Sequence, residues 1–133
     1  SLVREAVAHF VPNGGGVLIS MSSWSGQKGS SLPSLSAYAA SKAAIKAFTQ
    51  TIATSYAKEG VLAYIIAPGI VKTRMSDLAA VIRGGEEKMK SSLVLGELVT
   101  PDELGNLAVF LASGKCRHLT GATLDVNGAS YIR

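Results

Sequence analysis

Val61-Leu-Ala-Tyr-Ile-Ile-Ala67, closed by Pro68-Gly69, decides how this chain folds. Apolar residues fill both alternating sets of positions, so a strand here has no polar face to turn toward water. Such a strand belongs in a parallel sheet with helices on both sides. Pro68-Gly69 then stops it. Just upstream, Ala37 to Lys58 is rich in alanine and free of glycine and proline. Within it Ile45, Phe48, Ile52 and Tyr56 recur at helical spacing, which predicts one buried stripe on a long helix. Ala40, Ala43, Ala44 and Ala47 leave small faces against which another helix can pack. Gly60 is placed to end the helix in a left-handed conformation.

Further out, Leu2 to Phe10 suits a short helix, and Pro12 to Gly16 a turn. The three glycines there follow a helix, the reverse of the strand-then-helix order of a phosphate loop. Val17 to Met21 is a short apolar run of strand length. Between Ser20 and Ser36, 8 of the 17 residues are serine, with Gly26, Gly29 and Pro33, so a loop is expected. Ser76 to Ile82 and Glu86 to Leu93 read as short helices broken by Gly84-Gly85. Thr100-Pro101-Asp102-Glu103 opens another helix, with Thr100 as cap and Glu103 at the capping-box position, running to about Ala112. A last strand is expected around Ala122 to Val126. This alternation implies an α/β fold with parallel strands and right-handed crossovers.

Composition narrows the classes. The chain has 133 residues, 47% hydrophobic and 17% charged, which suits one domain with a core and argues against disorder. Its longest apolar run falls well short of the roughly 20 residues that cross a bilayer, so no membrane partner is expected. The first ten residues, with Arg4 and Glu5 among them, do not form a signal peptide. One cysteine, Cys116, excludes an internal disulfide, and with only His9 and His118 beside it no metal site is expected. A lone thiol fits a reducing, cytoplasmic setting. The net charge of +4 comes from 13 basic and 9 acidic residues that are scattered, so no nucleic-acid partner is expected either.

Tyr38 and Lys42 are the first pair able to carry chemistry. Four apart at the start of the long helix, they share one face. An ammonium beside a phenol stabilises the phenolate, which suits a tyrosine to proton transfer near neutral pH. Alone the pair is weak evidence, for it arises readily by chance. Its surroundings strengthen it: Tyr38-Ala-Ala-Ser-Lys42-Ala-Ala follows a strand ending in Ser22-Ser23, and precedes a buried strand ending in Pro68-Gly69-Ile70-Val71-Lys72-Thr73. Thr100-Pro-Asp-Glu103, Phe110-Leu-Ala-Ser-Gly114 and Leu119-Thr-Gly-Ala-Thr-Leu-Asp-Val-Asn-Gly128 come after, in that order.

In these motifs and their order the chain resembles the short-chain dehydrogenase/reductase family, of the compact type that includes 3-ketoacyl-carrier-protein reductases. The resemblance implies a Rossmann-like, doubly wound parallel sheet, and an oxidoreductase that interconverts a small-molecule carbonyl and an alcohol with NAD or NADP. It makes Tyr38 the proton donor and acceptor, Lys42 its electrostatic partner and a ligand of the nicotinamide ribose, and Ser23 the group that orients the substrate oxygen. Pro68, Gly69, Val71 and Thr73, with Tyr38 and Lys42, would hold the nicotinamide end of the cofactor. It also implies a homo-oligomer, a dimer or tetramer built through the 37–58 helix and the C-terminal strand.

Departures from the family pattern are informative. Ser23 stands 15 positions before Tyr38, slightly more than is usual, which keeps Ser25 open as an alternative. Val126-Asn-Gly-Ala129 replaces Val-Asp-Gly-Gly, a small change at an expected surface turn. Trp24 either borders the substrate pocket or packs the serine loop. Met75, Met89 and Leu93 fall where the family carries its lid, or are the buried sides of short helices. The family's Gly-rich pyrophosphate turn, its Asn-Asn-Ala-Gly segment and its catalytic Asn have no counterpart here. The chain is therefore expected to be the C-terminal half of such a fold, with a catalytic segment over 17–75, a lid over 74–98, and a closing helix and strand over 100–128. A non-catalytic half-domain that acts only in packing or assembly is the alternative.

Overall fold

A computed structural model describes residues 2–133. Among them three strands form one sheet: β1 (Gly16–Met21), β2 (Val61–Pro68) and β3 (Thr123–Val126), ordered β1-β2-β3 and parallel throughout. Connecting and covering them are α1 (Leu2–Phe10), α2 (Ser25–Lys28), α3 (Ser36–Tyr56), α4 (Arg74–Ile82), α5 (Glu86–Ser91) and α6 (Pro101–Ala112). This is the expected α/β architecture. None of these helices is long and apolar enough to cross a membrane.

β2 lies in the middle and every one of its residues is buried. The alternation of side chains sends Val61 and Ala63 to one face, against Val7 of α1 and Ile52 and Ala53 of α3. Leu62, Tyr64 and Ile66 go to the other, against Leu111 of α6. A third cluster, Ala80, Met89 and Leu98, gathers residues 74–98 around a small core of their own, with Ile70 and Leu93 packed on it. Its base is pinched where Val71 bridges Val99: Lys72 N donates to Val99 O at 2.8 Å, and Val99 N to Ile70 O at 2.9 Å.

Helix ends follow the expected chemistry. Gly60 takes φ +82° after the turn that closes α3. Thr100 N and Oγ1 each donate to Glu103 Oε2 at 2.8 Å, the capping box of α6. Those donors hold the Glu103 carboxyl below its usual range. α4 begins two residues earlier than expected because Ser76 Oγ accepts from Thr73 N at 2.9 Å and caps it. α5 ends at Ser91 rather than Leu93.

Three expectations need correction. Phe48 does not join a buried stripe of α3; it is 49% exposed, while the buried positions are Ala39, Thr49, Ile52 and Ala53. The helix turns its alanine-threonine side to the sheet, and Phe48 lies with Val3, Val11 and Tyr56 along an outer groove. The serine-rich loop is partly helical, holding α2 and a 3₁₀ turn at Pro33–Leu35. Asn127 is buried, not at the surface: its Nδ2 donates to Tyr131 O at 3.0 Å and its Oδ1 accepts from Tyr131 N at 3.2 Å.

Tyr64 is wholly buried and its hydroxyl has no partner among the described residues. Burial pushes its phenol up, Cys116 adds to the rise, and Arg117 opposes it. An unpaired buried hydroxyl costs about 1–3 kcal/mol. Tyr64→Phe is therefore expected to leave stability unchanged or raise it by about 1 kcal/mol in urea unfolding. Glu103 has a lower pKa folded than unfolded, so its contribution is full above about pH 4.3 and fades as pH falls through the folded value. Glu103→Gln keeps the capping geometry without the titration, and should flatten the acid limb of a stability-versus-pH curve.

Candidate active site

Parallel pairing puts the C-terminal ends of β1 and β2 side by side. Beyond β1 the ladder continues briefly, with Ser22 N donating to Ile66 O at 2.8 Å and Trp24 N to Pro68 O at 3.0 Å. The chain then turns into α2, which packs on α3 at Gly26. A Cβ on Gly26 would stand 2.7 Å from the Lys42 carbonyl carbon and 2.8 Å from Ala43 N, so only glycine permits this approach. Gln27 donates to the Asp125 carboxylate and ties α2 to β3.

α3 is locked to β1 by polar contacts. The Lys42 Nζ donates to Met21 O at 3.0 Å, and Ser22 Oγ donates to Lys42 O at 2.8 Å. Two turns along, Thr49 Oγ1 lies 2.8 Å from Ser20 Oγ. These contacts set which turn of α3 faces the strand end, and so where Tyr38 stands.

A cleft of about 210 Å³ opens there. Six of the seven site residues expected from the sequence line it: Ser23, Tyr38, Pro68, Gly69, Val71 and Thr73. Lys42 does not. It stands behind Tyr38, its ammonium 5.7 Å from the ring centroid. Ser25, the alternative serine, also lines the cleft. Ser23 is buried, and its Oγ accepts from Ser25 N at 3.1 Å, which leaves its own hydrogen available to a ligand. Apolar walls come from Leu35, Ile70, Met75 and Met89, the two methionines belonging to the expected lid. Among the described residues no cluster of His, Cys, Asp and Glu could hold a metal.

Two contributors lie outside the seven expected site residues: Trp24, which the sequence left open between pocket and loop, and Arg83. Trp24 borders the cleft and carries Lys28 over its ring, Nζ 4.0 Å from the centroid. The four-residue spacing of Trp24 and Lys28 would have signalled this, had a helix been expected in the loop. Arg83, just past α4, completes the far wall.

Residues 1–129 match a family model described as enoyl-(acyl carrier protein) reductase. The chain belongs to the short-chain dehydrogenase/reductase family. It is 34% identical over 130 residues to the (S)-acetoin-forming diacetyl reductase of Staphylococcus aureus, covering 91% of this chain and 50% of that protein. It is 35% identical over 127 residues to the galactitol 2-dehydrogenase of Agrobacterium fabrum, covering 89% and 49%. The chain thus spans about half the length of the curated relatives it matches. A solved structure of a tyrosine-to-phenylalanine variant of ElxO with NADPH bound shares the fold, with TM-score 0.83 at 24% identity over 96% of this chain and 51% of that one.

Gly26→Ala tests whether the α2–α3 contact positions the site. It is expected to cost about 1–3 kcal/mol in denaturant unfolding, as overpacking does, and to shift the emission of the adjacent Trp24.

Proposed function

We propose that this chain carries the proton-transfer half of an NAD(P)-dependent oxidoreductase that interconverts a carbonyl and an alcohol. The observation that carries this is the convergence of Ser23 and Tyr38 on one cleft at the strand ends, with the Lys42 ammonium fixed behind the Tyr38 ring. Family membership and the named reductase and dehydrogenase relatives support it.

The cleft suits the nicotinamide end of the cofactor. Gly69 leaves its floor open, where a Cβ would press on Asn127 and approach Trp24, and Thr73 precedes the N-terminus of α4, whose backbone N–H groups favour a phosphate. Pro68, Gly69, Val71 and Thr73 would hold that end, with Tyr38 and Lys42 beside the ribose. When bound, a reduced nicotinamide supplies the hydride that the carbonyl carbon gains. Ser23 Oγ–H orients the carbonyl oxygen. Tyr38 gives its hydroxyl proton to that oxygen, completing the alcohol, and the Lys42 ammonium stabilises the phenolate left behind. In oxidation the same groups run in reverse, Tyr38 taking the proton. The apolar walls keep water from the reacting atoms.

In the protein carrying this chain, Tyr38→Phe is expected to lower turnover of a small diketone by about 10²–10⁴-fold, as loss of a general acid does, with the fold intact by circular dichroism. Near-normal turnover would overturn the mechanism. Ser23→Ala should cost far more than Ser25→Ala; the reverse order would move the serine role to Ser25.

A second reading, that the chain on its own packs or assembles without turnover, is favoured by the sheet edge at β1, which among the described residues pairs only with β2. Titrating NADH and NADPH against nicotinamide fluorescence separates the two, since binding supports the enzyme and its absence the inert half. Self-association through α3, which leaves Ala40, Ala44, Ala47 and Phe48 exposed on one side, belongs to the proposal; a monomer in sedimentation would remove it.

A further inference from the structure

A second hollow adjoins the reacting cleft and shares Trp24, Ser25, Leu35, Ile70 and Arg83 with it. Its own lining adds Lys28 and the hydroxyl residues Ser30, Ser31, Ser92 and Ser130. No carboxylate lines either space. Two cations do: Arg83 in the shared wall and Lys28 in the outer one.

Neither cation is neutralised by the protein. Among the described residues the ion pairs are Arg4–Glu5, Lys90 with Glu86 and Glu87, and Arg133–Asp125. Glu86 and Glu87, which follow Arg83 closely in sequence, are thus taken by Lys90. Lys28 is held in place without a counter-ion, its ammonium 4.0 Å from the Trp24 centroid and 5.6 Å from that of Tyr131. Tyr131 is in turn fixed through its backbone by Asn127. The charge is positioned by aromatic faces and left unpaired.

Two unpaired cations beside an apolar passage raise the local concentration of anions. An arginine fork matches the two oxygens of a carboxylate or phosphate, and serine hydroxyls can donate to the same group. Apart from Ser25 and Arg83, the wall shared between this polar end and the cleft of Ser23 and Tyr38 is apolar, made by Trp24, Leu35 and Ile70. We infer that the substrate carries a carboxylate or phosphate, separated from its reacting carbonyl by an apolar spacer, and that Arg83 and Lys28 receive that anion in the second hollow. The inference rests on the reacting cleft proposed above and adds the class of compound it takes.

Trp24 is the only tryptophan in the chain and lines both spaces, so its emission reports occupancy without cofactor or turnover. The protein would be titrated with octanoate, octyl phosphate and octanol, at low and at high salt. At least one of the two anions should bind about tenfold or more tighter than octanol, with an advantage that shrinks as salt rises. Arg83→Ala should remove most of that advantage while leaving octanol affinity unchanged, and Arg83→Glu should reverse it. If Arg83 variants do not fold, Lys28→Gln and the salt series carry the same test. The inference is overturned if octanol binds as tightly as both anions, if neither anion binds, or if the anion advantage survives Arg83→Glu. An anion preference alongside normal turnover in Tyr38→Phe would reject the proton-transfer mechanism and keep the anion site; a turnover loss in Tyr38→Phe without an anion preference would do the opposite.

Discussion

A strand with no accessible face has only neighbouring strands to satisfy its peptide groups, and β2 is such a strand. It must be flanked on both sides, which it is: Gly16 pairs with Val61 at one end of the β1 register, and Val126 with Pro68 at the other end of the β3 register. Its side chains must be covered on both faces as well. α1 and α3 cover one and α6 the other. Parallel pairing needs long crossovers, and two of the covering helices, α3 and α6, lie in those crossovers. The site is a by-product of this constraint, because the segment leaving β1 has to pass over the end of β2 before α3 can begin.

In the proposed mechanism, the polar lock between α3 and β1 turns that arrangement into chemistry. Lys42 uses one of its three N–H donors on the Met21 carbonyl, which fixes the ammonium and leaves two donors for other partners. Ser22 binds the carbonyl of the same lysine, so residue 42 is gripped at both its backbone and its side chain. Tyr38, one turn earlier, is carried to the cleft by helical geometry. Under the proposed mechanism, a tyrosine and a lysine four residues apart become a working pair because the strand end holds the second of them.

Much of this was legible in the sequence. The unbroken apolar run of β2, the capped start of α6 and the glycine break between α4 and α5 each depend on neighbours in the chain, and each appeared close to where it was expected. What was missed depends on distant parts of the chain. Phe48 obeys the helical period, yet the sheet prefers the smaller residues beside it, which let α3 approach closely. Asn127 looked like an ordinary turn residue because its partner is the backbone of the tail, which carries no sequence signal. The two-room cleft is likewise invisible in the sequence, since its walls come from residues 23–38, from 68–79, from 83–93 and from Ser130. Of the expected site, six residues meet in the cleft, and Lys42 differs only in standing one layer back.

The small core of Ala80, Met89 and Leu98 is separate from the two clusters that pack against β2. Segment 74–98 joins the rest of the molecule through a narrow neck at Val71 and Val99 and touches the C-terminal tail, where Val94 N donates to Ser130 Oγ at 3.0 Å. Evolution can therefore rewrite this segment with little strain on the sheet. Under the proposed function, residues such as Met75 and Arg83 are free to drift toward new compounds, while Ser23, Tyr38 and Lys42 stay fixed by the strands and by α3. On the proposed reading, stability and selectivity are inherited on different parts of one chain, so that what is acted on can change without relearning how to fold.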